Sequence, residues 1–329
     1  MDNVKKIAIL TSGGDAPGMN AAIRGVVRTA SFFDIAVLGC LDGFQGMYEN
    51  NFIQLNNKSV ANCISHGGTL LHTKRFPEFK RQSVRRHALN NLKENKVDGI
   101  IILGGNGSFQ AAHFLHTEGD FKVIGIPCTI DNDIVGTNYT IGFDTARNTA
   151  LDAIDKIRDT VLSLNRHFIV EVMGKSSGFL AVDVGVAGGA ELIIIPEYPL
   201  SVEQIVAAIK KRPHNKRGSI IVVAEADQPG RSVAISEHIK QLADINYHVC
   251  ILGHTQRGGS PSVRDRKFAT IMGAKAVSAL RDNQQYCMLA VISNEVVTKD
   301  FPDPNNCTRF FNDTDLLDLQ NIICNYKNN

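Results

Sequence analysis

The chain has 329 residues, enough for a large core, and this length predicts two domains. Its 35 lysines and arginines nearly balance its 33 aspartates and glutamates, which argues against a general nucleic-acid binder with a concentrated basic face. The seven cysteines form no C-x-x-C pair, which argues against a metal cluster or a disulfide framework: Cys40, Cys63, Cys128, Cys250, Cys287, Cys307 and Cys324.

Nine short apolar runs, rich in isoleucine and valine, predict β-strands. They are mostly apolar at both alternating positions, as in a parallel sheet that is covered on both faces. In chain order they are KIAIL (6–10), DIAVLGC (34–40), GIIILGG (99–105), KVIGIP (122–127), FIVEVMG (168–174), ELIIIPE (191–197), SIIVVAE (219–225), HVCILGH (248–254) and YCMLAVIS (286–293).

Amphipathic stretches between these runs predict helices, and the alternation of strand and helix predicts an α/β protein with two Rossmann-like parallel-sheet domains. We expect the domain junction near Gly142, where the longest helical pattern begins. The predicted helices are GMNAAIRGVVRTA (18–30), SVRRHALNNLKEN (83–95), SFQAAHFLH (108–116), TARNTALDAIDKIRDTVLSL (145–164), SVEQIVAAIKKR (201–212) and SVRDRKFATIMGAKAVSAL (262–280).

No apolar run approaches the roughly 18–20 residues of a membrane helix, and the N-terminal residues show no signal-peptide pattern. We therefore expect no membrane association. The scattered, unpaired cysteines suit a reducing compartment, so the cytoplasm is the expected location.

Chemically active residues follow six of the predicted strands. Ligands of open α/β sheets bind at the carboxyl ends of strands. Glycines, acids, histidine or basic residues at six such ends together indicate a crevice that handles phosphate. The six segments are TSGGDAPGMN, GGNGS, CTIDND, MGKSSG, EAD and GHTQRGG.

Two of these segments are glycine turns between a strand and a helix. Glycine lets the backbone approach a ligand closely, and a helix N-terminus favours phosphate. A turn that serves packing alone is the alternative, and neither segment is a Walker loop. The residues concerned are Gly13 and Gly14 in the first turn and Gly104, Gly105, Asn106, Gly107 and Ser108 in the second.

The segment TIDND places Asp131 and Asp133 directly after a buried strand. An ordinary turn would also explain these residue types. In GHTQRGG, the planar fork of Arg257 could clamp a phosphate beside the flexible glycines, with His254 nearby. Arg75 in TKRFPEF is a second candidate clamp, and a solvated side chain is the alternative for each of these basic residues.

Taken in order, LTSGGDAPGMNAAIRGVVR, RFPEF, GGNGS, TIDND, EVMG, GHTQRGGSP and TIMGAKA resemble the motifs of bacterial-type 6-phosphofructokinases over nearly the whole chain. The resemblance implies the phosphofructokinase fold. It implies a nucleotide-binding domain of residues 1–141 plus about 258–306. It also implies a sugar-phosphate-binding domain of about 142–257 plus 307–329.

The resemblance further implies transfer of the γ-phosphoryl group of ATP to the 1-hydroxyl of fructose 6-phosphate, with Mg²⁺. Asp131 would be the catalytic base, Asp133 its orienting partner near the metal, and Thr129 the contact to the transferring phosphate. This chemistry needs positioning and charge neutralisation more than covalent catalysis. The implied ATP-binding residues are Gly14, Arg75, Phe76, Gly105, Asn106, Gly107 and Ser108.

For the sugar phosphate, the resemblance implies a set that includes residues from two subunits of a homotetramer. Glu225 would bind sugar hydroxyls, His254 and Arg257 the 6-phosphate, and Arg166 a neighbouring subunit's substrate. The full set is Thr129, Ile130, Asp131, Arg166, Met173, Gly174, Lys175, Glu225, His248, His254 and Arg257.

An effector site for ADP as activator or phosphoenolpyruvate as inhibitor is also implied. A solvated helix face is the alternative for the two arginines of the first helix. Asn51 stands where the family has a further arginine, which weighs against an effector response. The implied residues are Arg24, Arg28, Arg158, Glu191, Lys216 and Arg217.

The chain departs from the family pattern at three positions that touch phosphate or metal. Asn106 replaces an aspartate that supports Mg²⁺–ATP, which removes one negative charge while keeping an oxygen ligand. His248 replaces a second cross-subunit arginine, and Lys175 replaces a substrate-side arginine without its fork. A catalytically weak regulatory paralogue is therefore an alternative to an active kinase.

The phosphoryl donor is indicated by positions 107 and 128. Pyrophosphate-dependent relatives carry aspartate and lysine there, whereas this chain has Gly107 and Cys128. Gly107 leaves room for a nucleotide and favours ATP, while Cys128 fits neither pattern. A pyrophosphate-dependent phosphofructokinase remains the second alternative.

Overall fold

The computed structural model describes residues 4–211 and 217–324. The chain divides into two compact units. The first comprises residues up to Thr145 together with Arg257–Thr308, and the second Ala146–Gln256 together with the residues from Arg309 onward. None of the helices in the described ranges combines the length and apolar character that crossing a membrane requires. Which ligand each unit binds stays a prediction.

The predicted α/β class is confirmed, and all nine predicted strands and all six predicted helices form. The strands are β1 Lys6–Thr11, β2 Ala36–Cys40, β3 Phe52–Leu55, β4 Gly99–Gly104, β5 Lys122–Thr129, β6 Ile141–Gly142, β7 His167–Val172, β8 Leu192–Ile194, β9 Ser219–Ala224, β10 Tyr247–Ile251, β11 Tyr286–Ile292 and β12 Glu295–Lys299. The helices are α1 Met19–Phe32, α2 Gly43–Tyr48, α3 Gln82–Glu94, α4 Asn106–Gly119, α5 Phe143–Leu164, α6 Phe179–Ala187, α7 Val202–Lys210, α8 Arg231–Ala243, α9 Val263–Arg281 and α10 Thr314–Cys324.

The first unit contains a mixed sheet with a parallel centre. Its strand order is β12-β11-β5-β4-β1-β2-β3, with β6 beside β5. The two outer strands β3 and β12, which were not predicted from the sequence, are antiparallel to their neighbours. These two strands are about half-exposed and carry polar residues, and for that reason they lack the apolar signature of the central strands.

The second unit contains a parallel sheet in the order β10-β7-β9-β8. Every residue of β9 is buried, as the continuous apolar run SIIVVA predicts for a sheet covered on both faces. The helix α6 was not predicted from the sequence, because FLAVDVGVA is apolar on almost every side and has no helical periodicity.

In the first unit, α1 and α9 approach each other at two glycines, Gly25 and Gly273. A Cβ added to Gly273 would lie 2.3 Å from the carbonyl oxygen of Ala22 and 2.9 Å from the amide nitrogen of Val26. The two helix backbones therefore meet at a distance that any larger side chain would increase.

Candidate active site

Three neighbouring strands of the first unit end side by side, and each end carries a predicted motif. The sheet order β5-β4-β1 sets TIDND, the second glycine turn and the first glycine turn next to one another. The amide of Ser12, after β1, donates to the carbonyl of Leu103 in β4 across 2.9 Å. A Cβ on Gly105 would lie 3.7 Å from the Cβ of Thr129. The first unit thus brings its predicted phosphate-binding residues to one sheet edge.

The guanidinium of Arg257 lies against the first glycine turn. A Cβ added to Gly14 would lie 1.6 Å from Nη1 of Arg257, so glycine is required for this contact. Nη1 donates to the carbonyl of Asp15 at 3.5 Å and lies 3.9 Å from Oδ1 of the same residue. Within the described residues, the buried Nε of Arg257 has no hydrogen-bond partner. Arg257 is thus placed beside a turn predicted for ATP, and its assignment to the sugar phosphate stays a prediction.

The loop that carries Arg75 is anchored to the same turn. The hydroxyl of Thr73 donates to the carbonyl of Gly13 across 2.8 Å, and Thr11 donates to the carbonyl of His72 across 2.6 Å. Arg75 itself is exposed, so its charge is available to a ligand. The neighbouring Phe76 is half-buried and packs against Tyr48, with ring centroids 5.7 Å apart.

The TIDND loop folds its two key side chains onto each other. The hydroxyl of Thr129 donates to Oδ2 of Asp131 at 3.3 Å and accepts from the amide of Asp131 at 3.2 Å. Both residues are half-buried, whereas the intervening Ile130 is buried in the core. Asp131 therefore has a fixed orientation and keeps access to a ligand.

Asn106 and Asp133 form a direct side-chain pair. Nδ2 of Asn106 donates to Oδ2 of Asp133 at 2.9 Å and to the hydroxyl of Thr308 at 3.2 Å. Asp133 is only 4% exposed. If the amide of Asn106 were rotated by 180°, its oxygen would lie against the carboxylate of Asp133 and repel it. The hydrogen bond therefore shows which atom of the amide is the nitrogen.

This pair offers oxygen ligands of the kind that Mg²⁺ prefers. Oδ1 of Asn106 is buried and has no hydrogen-bond partner among the described residues. Asn106 thus offers one unsatisfied oxygen beside a carboxylate, and hard cations prefer such oxygen ligands. The described residues contain no group of three or more His, Cys, Asp or Glu side chains suited to a metal, so the remaining ligands would come from substrate and water.

The start of α4 leaves space for a ligand on one side only. A Cβ on Gly107 would meet no atom within 4 Å, whereas one on Gly104 would lie 2.3 Å from Oγ of Ser108 and 2.7 Å from the carbonyl of Ser12. Gly104 and the buried Ser108 are therefore packed against the neighbouring turn. Gly107 faces open space, as its predicted role beside a nucleotide requires.

In the second unit, Met173 and Glu225 lie together where β7 and β9 end. The amide of Glu225 donates to the carbonyl of Val172 across 2.8 Å. The amide of Met173 donates to Oε1 of Gln256, a fully buried residue, also at 2.8 Å. Gly174, with φ of +139°, and the exposed Lys175 follow Met173 directly. His254 is exposed in the turn after β10.

Arg166 and His248 lie at the opposite end of this sheet. Arg166 precedes the first residue of β7, and His248 pairs with Phe168 near the amino ends of β10 and β7. The five residue-to-residue steps from Phe168 to Met173 span roughly 16 Å of extended strand. One chain therefore does not bring Arg166 and His248 together with Met173 and Glu225.

The predicted effector residues fall into separate groups. In the second unit, Nη1 of Arg158 lies 3.9 Å from Oε1 of Glu191, and Nη2 donates to the carbonyl of Gly189 at 2.8 Å. The exposed Arg217 precedes β9, and Lys216 lies outside the described residues. In the first unit, Arg24 is half-buried and Arg28 exposed on α1, and Asn51 is exposed before β3.

Two residues with a part in these sites were not predicted from the sequence. Gln256 holds the amide of Met173, and Thr308 accepts a hydrogen bond from Asn106. Gln256 stands within GHTQRGG, which is a usable signal. Thr308 carries no local signal, since its partner lies 202 residues earlier.

Comparisons with known proteins point to one family. A family model described as Phosphofructokinase matches residues 6–280. The chain is 53% identical over 324 residues to an ATP-dependent 6-phosphofructokinase of Coxiella burnetii, covering 98% of this chain and 99% of that relative. The T-state crystal structure of Pichia pastoris phosphofructokinase matches with a TM-score of 0.84 and 32% identity.

The two solved structures differ in how much of their own length is matched. The match to the Pichia pastoris protein covers 91% of this chain but 35% of that chain, so the chain spans about a third of its length. A pyrophosphate-dependent phosphofructokinase from Marinobacter aquaeolei matches with a TM-score of 0.84 over 96% of this chain and 91% of its own. At 21% identity, that similarity supports the fold alone.

Proposed function

The chain belongs to the phosphofructokinase family, and from this premise we propose that it transfers the γ-phosphoryl group of ATP to the 1-hydroxyl of fructose 6-phosphate. The products would be ADP and fructose 1,6-bisphosphate. The main support is the convergence of two glycine turns and the Thr129–Asp131 pair at one sheet edge. Phosphoryl transfer depends chiefly on positioned groups of this kind.

Asp131 would accept the proton of the attacking hydroxyl. Its carboxylate is oriented by Thr129 and remains accessible. General-base catalysis contributes about 10²–10⁴-fold to a rate when the base is held in place. The backbone of Gly14 and the guanidinium groups of Arg75 and Arg257 would offset the negative charge of the phosphates.

Asn106 and Asp133 would hold Mg²⁺ together with the phosphates of ATP. Bound there, the ion would neutralise charge that develops during transfer. The unpartnered oxygen of Asn106 supports this assignment, although asparagine supplies no charge. We expect a weaker metal site than two carboxylates would form.

ATP is the proposed donor in preference to pyrophosphate. The open space beside Gly107 supports this choice, because an aspartate there would extend into it. The name of the Coxiella burnetii relative, an ATP-dependent enzyme, also supports it.

The sugar phosphate would bind residues of the second unit, including Met173, Glu225 and His254. Within one chain, Arg166 and His248 lie far from Met173 and Glu225. This separation supports the proposal that Arg166 and His248 contribute to another subunit's site within a homotetramer. ADP or phosphoenolpyruvate would act at the arginines of α1 and at Arg158. We place this activity in the cytoplasm.

The first experiment is an assay of the purified protein with fructose 6-phosphate and Mg²⁺, comparing ATP with pyrophosphate. We expect ATP-dependent fructose 1,6-bisphosphate, lost in Asp131→Ser and retained in a matched surface variant, Asp120→Asn. Activity with pyrophosphate alone would overturn the proposed donor. Silence with both donors, but retained nucleotide binding, would favour the regulatory alternative that Asn106 motivates.

A further inference from the structure

Asp265 of α9 is a buried carboxylate on which four donors converge. Its side chain is fully buried. Oδ1 accepts from the hydroxyl of Tyr139 at 2.5 Å and from the amide of Gly142 at 2.8 Å. Oδ2 accepts from the amide of Thr145 at 2.9 Å and from the hydroxyl of the same residue. Residues 139–145 thus hold one side chain that lies about 120 residues further along the chain.

The segment that Asp265 holds is itself hydrogen-bonded to the TIDND loop. Strand β6 pairs with the end of β5, with Gly142 opposite Thr129. The hydroxyl of Thr140 donates to the carbonyl of Thr129 at 2.7 Å, and its amide donates to Oδ1 of Asn132 at 3.0 Å.

The arrangement requires both carboxylate oxygens of Asp265 to accept hydrogen bonds. A carboxylate can accept from all four donors, whereas the amide of asparagine places an N–H₂ group against one pair of them. A buried donor without an acceptor is costly, so the segment would shift to find another partner. The ring of Tyr139 also packs against the ring of Phe268, with 5.4 Å between centroids. Because this contact restrains the Tyr139 side chain, we expect the backbone of residues 139–145 to move instead.

We propose that Asp265 is a positioning residue of the proposed kinase reaction: it holds residues 139–145, which in turn set the place of Thr129 and Asp131. This inference rests on the proposed function of Asp131. A helix cap that serves stability alone is the competing explanation, since Asp265 also lies in the first turn of α9, where its amide donates to Ser262.

The test uses the full-length protein and two pairs of variants. Asp265→Asn is compared with Glu171→Gln, because Glu171 is an equally buried carboxylate that accepts from the amides of Gly230 and Ser232 in the second unit. Thr145→Val removes a hydroxyl donor to Asp265, and Thr145→Ser restores it. Tyr139→Phe removes one donor and serves if Asp265→Asn does not fold.

We expect Asp265→Asn and Thr145→Val to lower kcat by about 10- to 100-fold, as a displacement near 1 Å does. The KM for ATP should change less than about threefold, because the glycine turns keep their place. Thr145→Ser should recover most of the lost kcat. Glu171→Gln should lower the Tm to a similar extent without this loss of kcat.

Hydrogen–deuterium exchange gives a second measurement that does not depend on turnover. In Asp265→Asn or Tyr139→Phe, amides of residues 128–132 and 138–142 should exchange faster, and those of β1 should not change. A lower Tm with unchanged kcat and unchanged exchange at 128–132 would overturn the inference. If the wild-type protein has no kinase activity, the proposed function fails, while the exchange measurement still decides whether Asp265 holds the loop.

Discussion

The side-chain amide of Asn106 donates a hydrogen bond to the buried carboxylate of Asp133 across 2.9 Å. A second carboxylate at position 106 would lie in hydrogen-bonding distance of the first. Two carboxylates this close cannot both ionise without a cation or a shared proton. Asparagine avoids this repulsion when no metal is bound, and it lowers the negative charge that the pair offers to a metal.

Asn106→Asp should therefore make stability depend strongly on Mg²⁺. Without the metal at pH 7.5, we expect a loss of about 1–3 kcal/mol, since a hydrogen bond is replaced by repulsion at a buried site. With Mg²⁺, the variant should regain more stability than the wild type does. Thermal unfolding in EDTA and in Mg²⁺ measures the loss of stability and its recovery. Asn57→Asp, at an exposed position, is the control for an added negative charge. Equal responses of the two proteins to Mg²⁺ would contradict this account.

Gly14→Ala should act through Arg257. The new methyl group would occupy the place of Nη1, which must move. Displacing the guanidinium group would remove its charge-assisted contact to the 6-phosphate, worth about 1.5–3 kcal/mol, so the KM for fructose 6-phosphate should rise roughly 10- to 100-fold. A double-mutant cycle with Arg257→Ala tests the cause. Independent, additive effects of the two substitutions would show that the contact is not responsible.

Gly273→Ala should force α1 and α9 apart. Its Cβ would meet backbone atoms of Ala22 and Val26, which cannot rotate away. Overpacking costs about 1–3 kcal/mol and exceeds the gain in helix propensity. Denaturant unfolding measures the loss. Gly107→Ala is the matched control, because this helical glycine faces open space and its substitution should not destabilise the fold.

The buried thiols should be unreactive until the protein unfolds. Burial raises the pKa of Cys287 to about 11 and also raises the pKa of Cys40 and Cys128 above the ordinary thiol value. These thiols stay neutral at pH 8, where only thiolates react. We expect a thiol reagent to label the half-buried Cys250 before the buried cysteines. This early phase of labelling should be absent in Cys250→Ser. Rapid labelling of several thiols in the native protein would refute this.

The same raised pKa values predict lower stability at alkaline pH. Unfolded thiols ionise near pH 8.5, whereas the native thiol of Cys287 ionises only near pH 11. The unfolded state therefore binds fewer protons in this window, and the free energy of unfolding falls as pH rises through it. Urea unfolding between pH 8 and pH 10.5, with Cys287→Ala for comparison, measures the slope. The slope should be shallower in Cys287→Ala than in the wild type.

Sequence patterns alone were sufficient to predict the α/β class, the central strands and the family. Continuous apolar runs such as those of β4 and β9 are typical of strands buried on both faces, and parallel strands align their carboxyl ends. The motifs that follow strands of the same sheet could therefore be assigned to one edge of that sheet from the order of residues alone. The edge strands β3 and β12 could not, because half-exposed strands carry a weaker pattern.

The contacts between side chains could be identified only from the three-dimensional structure. Arg257 lies on Gly14, Asn106 on Asp133 and Thr308, and Asp265 on residues 139–145, across separations of up to 202 residues. A local pattern encodes burial and backbone conformation, and it contains no information on a partner so far away in the chain. The place of His248 at the far end of the sheet from Met173 is likewise a consequence of strand register, which long-range packing sets.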